Sequence, residues 1–156
     1  MDKIYRNHKG AKSKGFKCCH CSRWIKFLKS IGTKHRDHCP LCLWSRHVDL
    51  EKPGDRKSEC KAKMKPIGLT FKKEGIDKYG NQKQGELMIT HQCVGCGKIS
   101  INRIAGDDNP KVILNIFGKS KSLSPKLIKQ IKENDIRLLK KTEEKEILVQ
   151  LFGRNF

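Results

Sequence analysis

His35 to Cys60 reads HRDHCPLCLWSRHVDLEKPGDRKSEC. It holds a Cys-Pro-x-Cys turn from Cys39 to Cys42, an alternating His47-Val48-Asp49 segment, a Gly-Asp-Arg loop and a lone Cys60. A Cys-x-x-Cys turn supplies two ligands from one tight bend, and a tetrahedral ion requires two more. Cys18 and Cys21 lie upstream, and Cys93 and Cys96 lie downstream. The stretch therefore closes one metal site with the upstream pair. It opens a second in which Cys60 joins the downstream pair.

For the first site the ligands are Cys18, Cys21, Cys39 and Cys42. Four thiolates fill a tetrahedron and leave no open position for catalysis. Cys19 reads as a bystander, with a register using Cys19 in place of Cys18 left open. The second site takes Cys60, Cys93 and Cys96 and needs a fourth ligand. His91 lies two residues before Cys93, on the same face of an incoming strand, and is favoured. The alternative is His47, with Asp49 orienting its ring. Each set calls for one Zn2+, two per chain. Gly95 and Gly97 are read as supplying the positive φ that such turns need.

The segment Arg36-Asp37-His38-Cys39-Pro40 resembles the signature of the RNHCP-domain family, with Asp37 where the family has Asn. The likeness continues through Phe16-x-Cys18-x-x-Cys21, Cys42-Leu43, Ser45-x-His47-Val48-Asp49 and Gly54-Asp55-Arg56. It extends to Cys60, Met64-x-Pro66-Ile67, His91-x-Cys93-x-x-Cys96-Gly97 and Asn102-Arg103-x-Ala105-x-Asp107-Asp108, covering residues 16–108. The resemblance implies a small zinc-ribbon-like bacterial domain. It implies no biochemical role, which must come from the residues.

The expected fold is a small α+β, metal-stapled chain. Residues 1–15 read as a basic disordered arm, 16–108 as a domain of two zinc ribbons (short antiparallel β-hairpins), and 109–156 as helices. Phe16 and the apolar run Trp24, Ile25, Phe27 and Leu28 frame the first hairpin. Thr70–Lys73, Glu86–Gln92 and Lys98–Arg103 read as three strands of the second, with a polar loop over 75–85. Asp108 or Asn109 caps a helix with Pro110 at its first position and Gly118 at its end. Ser124-Pro125 starts another, Asn134-Asp135 breaks it, and Thr142 starts a last one. A single helix over 125–151 is the alternative.

Charge points to a partner. Lys and Arg number 35 against 16 Asp and Glu, a formal net charge of +19. Residues 1–65 alone carry 18 basic and 6 acidic side chains. Such an excess repels itself until something acidic neutralises it, and nucleic acid is the leading class. The arm contributes Lys3, Arg6, Lys9, Lys12 and Lys14; the ribbons contribute Arg36, Arg46, Arg56, Lys57, Lys61, Lys63 and Arg103. No apolar run approaches the roughly 18 residues of a spanning helix, so a membrane is not expected. The first residues lack a secretory apolar stretch, and paired cysteines then read as metal ligands in a reducing cytoplasm. Arm, metal-stapled body and Lys-bearing helices together read as an RNA-binding protein of the ribosome or an associate of it. The expected partners are ribosomal RNA and neighbouring ribosomal proteins. An exposed Trp44 would add a stacking surface for a base. The competing class is a metal-dependent nuclease using His47, Asp49, Asp107 and Asp108 with Arg103 on phosphate.

Overall fold

The computed structural model describes residues 15–27, 38–51 and 57–153. Strands β1 (Gly15–Lys17) and β2 (Trp24–Lys26) form an antiparallel hairpin, with Phe16 opposite Ile25. Gly15, expected in the arm, opens this hairpin because the strands approach too closely for a side chain. A Cβ there would lie 2.0 Å from the Ile25 carbonyl oxygen. Lys3, Arg6, Lys9, Lys12 and Lys14 lie outside the described residues, as do Arg36 and Arg56.

The main sheet has four antiparallel strands in the order β3-β4-β5-β6. They are β3 (Ser45–Arg46), β4 (Lys63–Ile76), β5 (Gln82–Cys93) and β6 (Ile99–Arg103). The α+β class is as expected, but the second hairpin is long rather than short and gains a fourth strand. Buried Met64 and Pro66 alternate with exposed Lys63 and Lys65, a period-two signal that the lysines obscure in the sequence. The expected loop contracts to the turn Asp77–Asn81, closed by the Asp77 N–H on the Asn81 carbonyl (2.7 Å).

One sheet face carries Leu69, Leu87 and Ile89 against Ile113, Ile116, Phe117, Leu139 and Ile147. Ile67 and Ile99 form a second cluster with Ile131. Helix α1 (Pro110–Lys119) starts as read, with Asn109 Oδ1 accepting from Lys111 N at 2.9 Å. It runs past Gly118 into a 3-10 turn over Ser120–Ser122. Ser124 Oγ caps α2 (Pro125–Glu133), which ends at Asn134, and Asp135 takes φ 59. Helix α3 (Glu144–Phe152) begins after a 3-10 turn over Lys141–Glu143. Two helices, not one, therefore occupy 125–151. The intervening segment has a job at the sheet edge. Because β3 pairs only with Lys63 and Met64, the rest of that edge of β4 needs cover. Leu139 N donates to Leu69 O (2.9 Å) and Thr70 Oγ1 donates to Arg137 O (2.8 Å). Gly68 makes room for it, since a Cβ would meet Leu138 Cδ2 at 2.6 Å.

Candidate metal centres

Three turns share one hydrogen-bond pattern. The opening residues Cys18, Cys39 and Cys93 donate their N–H to Arg23, Trp44 and Lys98 carbonyls at 2.8, 2.9 and 2.8 Å. Their own carbonyls accept from Ser22, Leu43 and Gly97 at 3.0, 2.8 and 3.0 Å. Those three residues are left-handed, with φ 66, 65 and 82. Gly97 thus has the expected role. Ser22 and Leu43 hold the same conformation without being glycine, at a cost of about 1–2 kcal/mol each. Leu43 is fully buried in the main core, so its side chain offsets that cost. Gly95 has a different role from the one expected: a Cβ there would lie 2.7 Å from Ala62 Cβ and 3.5 Å from Cys60 Sγ. It clears space for the Cys60 segment. Backbone N–H groups point at the sulfur of each opening Cys: His20 and Cys21 N to Cys18 (both 3.4 Å), Leu41 N to Cys39 (3.4 Å), Cys96 N to Cys93 (3.5 Å). Such donors favour the thiolate.

Cys18, Cys21, Cys39 and Cys42 bring their sulfurs within 4.8 Å of one another. Cys18 to Cys42 is 3.6 Å and Cys21 to Cys39 is 3.7 Å. A tetrahedron with metal–sulfur bonds of ~2.3 Å has edges of about 3.8 Å, whereas a disulfide would be ~2.05 Å. The donor set fits a thiolate-bound metal ion. Hydrogen bonds from Cys19, Cys39 and Cys42 push the Cys18 thiol far down. Hydrogen bonding to Cys18 pushes Cys39 up to about 11 and Cys42 further still. Cys19 keeps its proton: its thiol is pushed up by its hydrogen bond to Cys18 and by burial, and its Sγ also reaches Ser45 O at 3.2 Å. It stands outside the quartet, as the bystander reading had it. Trp44 is half-buried, and one face is stacked on His20 at 4.1 Å with rings 1° from parallel. That face is not open to a base.

The second group is His47, Cys60, Cys93 and Cys96, again within 4.8 Å. The favoured His91 is not among them. It shares a strand face with Cys93, but that face is the covered interior of the sheet, whereas Cys60 and Cys96 are exposed at the strand's end. His91 is instead fully buried, its Nε2–H donating to Leu43 O (2.6 Å) and its Nδ1 accepting from Asn102 Nδ2 (2.8 Å). Burial pushes its pKa down to about 3, so the ring is neutral. His47 arrives because β3 pairs with the start of β4. His47 N donates to Ala62 O (2.9 Å) and Lys61 N to His47 O (3.0 Å), laying it beside Cys60. His47 Nδ1 lies 3.3 Å from Cys96 Sγ, and Cys60 Sγ lies 3.6 Å from Cys93 Sγ. Burial, then the Lys98 charge, lower the His47 pKa; the neutral imidazole is the form that binds metal. Asp49 acts the other way on the ring, through a backbone hydrogen bond and its charge. Helix α2 braces this turn through Gln130 Nε2 on Gly97 O (2.8 Å).

A contact that the sequence did not reveal ties the first centre to α1. Buried His38 Nε2 donates to Asp108 Oδ2 at 2.6 Å, and the same oxygen accepts from Ala105 N at 2.8 Å. Asn109 N donates to Pro40 O at 2.9 Å. Both residues lie in motifs of the sequence, 36–40 and 102–108, but 70 positions separate His38 from Asp108 and no spacing rule pairs them. The members of the alternative nuclease set have these places. His47 joins the thiols, Asp108 holds His38, exposed Arg103 lies 3.1 Å from Glu86, and Asp107 is exposed. Among the described residues these side chains form no shared metal-binding group. Lys57, Lys61 and Lys63 are exposed and Arg46 is half-buried.

No curated protein and no solved structure matches this chain. The family model of the RNHCP domain matches residues 13–114. That span takes in both groups of metal-binding side chains, the whole sheet and the start of α1, and it exceeds half of the 156 residues. The chain belongs to the RNHCP domain family.

Proposed function

We propose that the chain is a two-zinc RNA-binding protein acting at ribosomal RNA, as a component or associate of the ribosome. Zinc suits both donor sets, because thiolate-rich tetrahedral groups select it over hard cations. One observation carries the RNA reading. Lys61, Lys63 and Lys65 follow Cys60 of the second metal group at every second residue, all exposed, while Ala62 between them is half-buried and Met64 is buried. None of the three has an acidic partner among the described residues. Strand pairing holds the backbone at Lys63 and Lys65, and the Lys61 N–H is tied to His47 O beside the metal group, so little backbone ordering entropy is lost on meeting phosphates. RNA shape is read largely through such backbone contacts. No helix of the described residues is long and apolar enough to cross a membrane.

The test is the salt dependence of binding to a ribosomal RNA fragment. Each lost phosphate contact lowers the slope by roughly 0.7–0.9, so changing Lys61, Lys63 and Lys65 together to Gln should lower it by about two. Metal content should stay the same. Absence of RNA binding, or an unchanged slope, removes this reading. The proposed role is binding without turnover. Divalent-dependent RNA cleavage that disappears in Asp107→Ala with metal content intact would replace it with the nuclease.

A further inference from the structure

The β4–β5 hairpin outgrows its sheet. β6 pairs with β5 only from Met88 to Gln92, so from Lys73 to Gln84 the hairpin continues as a two-stranded ribbon. Its register shifts between Phe71 and Lys73 and again between Lys73 and Ile76, which increases its twist. The turn at its end is built, not loose. Asp77 Oδ1 accepts from Tyr79 N (2.8 Å) and Asn81 N (2.9 Å), and Gly80 N donates to Asp77 O (3.1 Å). Gly80 sits at φ 81, where a side chain would be strained.

This turn carries Ile76 at 70% and Tyr79 at 75% exposure, the two highest values for large apolar side chains among the described residues. Lys78 Nζ lies 5.0 Å from the centre of the Tyr79 ring, and Lys72 and Lys73 are exposed behind it. Hairpin ends that only face water carry polar residues. An aromatic ring on a preformed turn beside a lysine matches another chemistry: a base stacks on the ring while the ammonium meets the neighbouring phosphate. Two side chains make too small an apolar patch to anchor a protein, which needs several hundred Å2. A looped RNA supplies the unstacked bases that paired RNA withholds.

We infer that Tyr79, held out by the β4–β5 turn, stacks on an unpaired base of the bound RNA, with Lys78 on the adjacent phosphate. This rests on the RNA reading above and adds the kind of RNA feature recognised. Tyr79 is exposed, so its replacement leaves the fold and the metal content in place. The experiment compares the full chain with Tyr79→Ala and Tyr79→Phe. Each binds a stem-loop RNA with an unpaired adenine loop and a fully paired duplex of equal length, over a salt series. Stacking contributes ~1–3 kcal/mol per base. Tyr79→Ala should therefore bind the stem-loop roughly five- to 150-fold more weakly, with an unchanged salt slope and little change on the duplex. Tyr79→Phe should bind like the unaltered chain. Unchanged stem-loop affinity in Tyr79→Ala, an equal loss on both RNAs, or a loss that comes with a flatter slope overturns the stacking role while leaving RNA binding intact. Failure of the unaltered chain to bind either RNA overturns the RNA reading itself, and this inference with it.

Discussion

Around the first metal group the buried cluster is Phe16, Cys18, Ile25 and Cys39, so half of it consists of ligands. Beside the second, Leu69, Leu87 and Ile89 of the sheet share a nine-residue buried cluster with the helices that holds none of the grouped cysteines or His47, although Leu43 of the first metal turn reaches into it. The hairpin at the first group pairs three residues per strand, too little to stand alone in water. The sheet at the second pairs strands of 14 and 12 residues and is packed by three helices. Exposure runs the other way. Cys39 is fully buried, whereas Cys60 and Cys96 are exposed. The first centre is thus shielded but indispensable to its surroundings. The second is accessible, and the structure it sits on has a core of its own.

The most damaging way to probe this contrast is Cys39→Ser. A structural zinc contributes on the order of 10 kcal/mol to folding. Loss of the zinc proposed for this group should unfold β1 and β2 while β4 to β6 persist. Hydrogen exchange resolved along the chain checks this: protection should vanish over 15–27 and survive over 85–93. Cys96→Ser should be milder. Each core side chain contributes ~1.5–3 kcal/mol by burial, so the cooperative thermal transition should remain, at a lower midpoint. In the unaltered chain the same exposure should let a chelator strip the second ion first; simultaneous release of both ions would erase the distinction.

A third probe reaches the sheet without touching a ligand. His91 has a folded pKa near 3 against an ordinary 6.5. The unfolded chain therefore binds more protons between those values. Stability from this group is complete above pH 6.5 and is lost as pH falls toward 3, amounting to about 2 kcal/mol by pH 5. Urea unfolding at pH 7 and pH 5 should show that loss in the unaltered chain and not in His91→Gln. Equal pH dependence in both would mean that the ring does not stay neutral. The smallest expected effect is at the α2 cap. Ser124→Ala should cost about 1 kcal/mol and leave the metal content unchanged, although Gln130 of that helix touches Gly97.

What was legible in the sequence follows from locality. Each Cys-x-x-Cys turn declares itself within four residues, and so do Asn109-Pro110 and Ser124-Pro125 as helix starts. Both metal groups except one ligand were therefore readable. The fourth member of the second group was not, because His47 owes its place to two-residue β3 pairing with β4, too short to leave a periodic pattern. His91 looked right by strand parity but occupies the sheet interior. The start of β4 is not legible because exposed Lys63 and Lys65 alternate with the buried Met64 and Pro66 and mask them. The His38–Asp108 link depends on how the first centre docks on α1, which no local pattern encodes.

The central claim, two separate tetrahedral metal groups with His47 completing the second, is tested most directly by the zinc content of reduced, full-length chains. The unaltered chain should hold two zinc ions, Cys39→Ser and His47→Ala one each, the double variant none, and His91→Gln two. One ion or none in the unaltered chain, loss of both ions in either single variant, or one ion in His91→Gln with two in His47→Ala would contradict it.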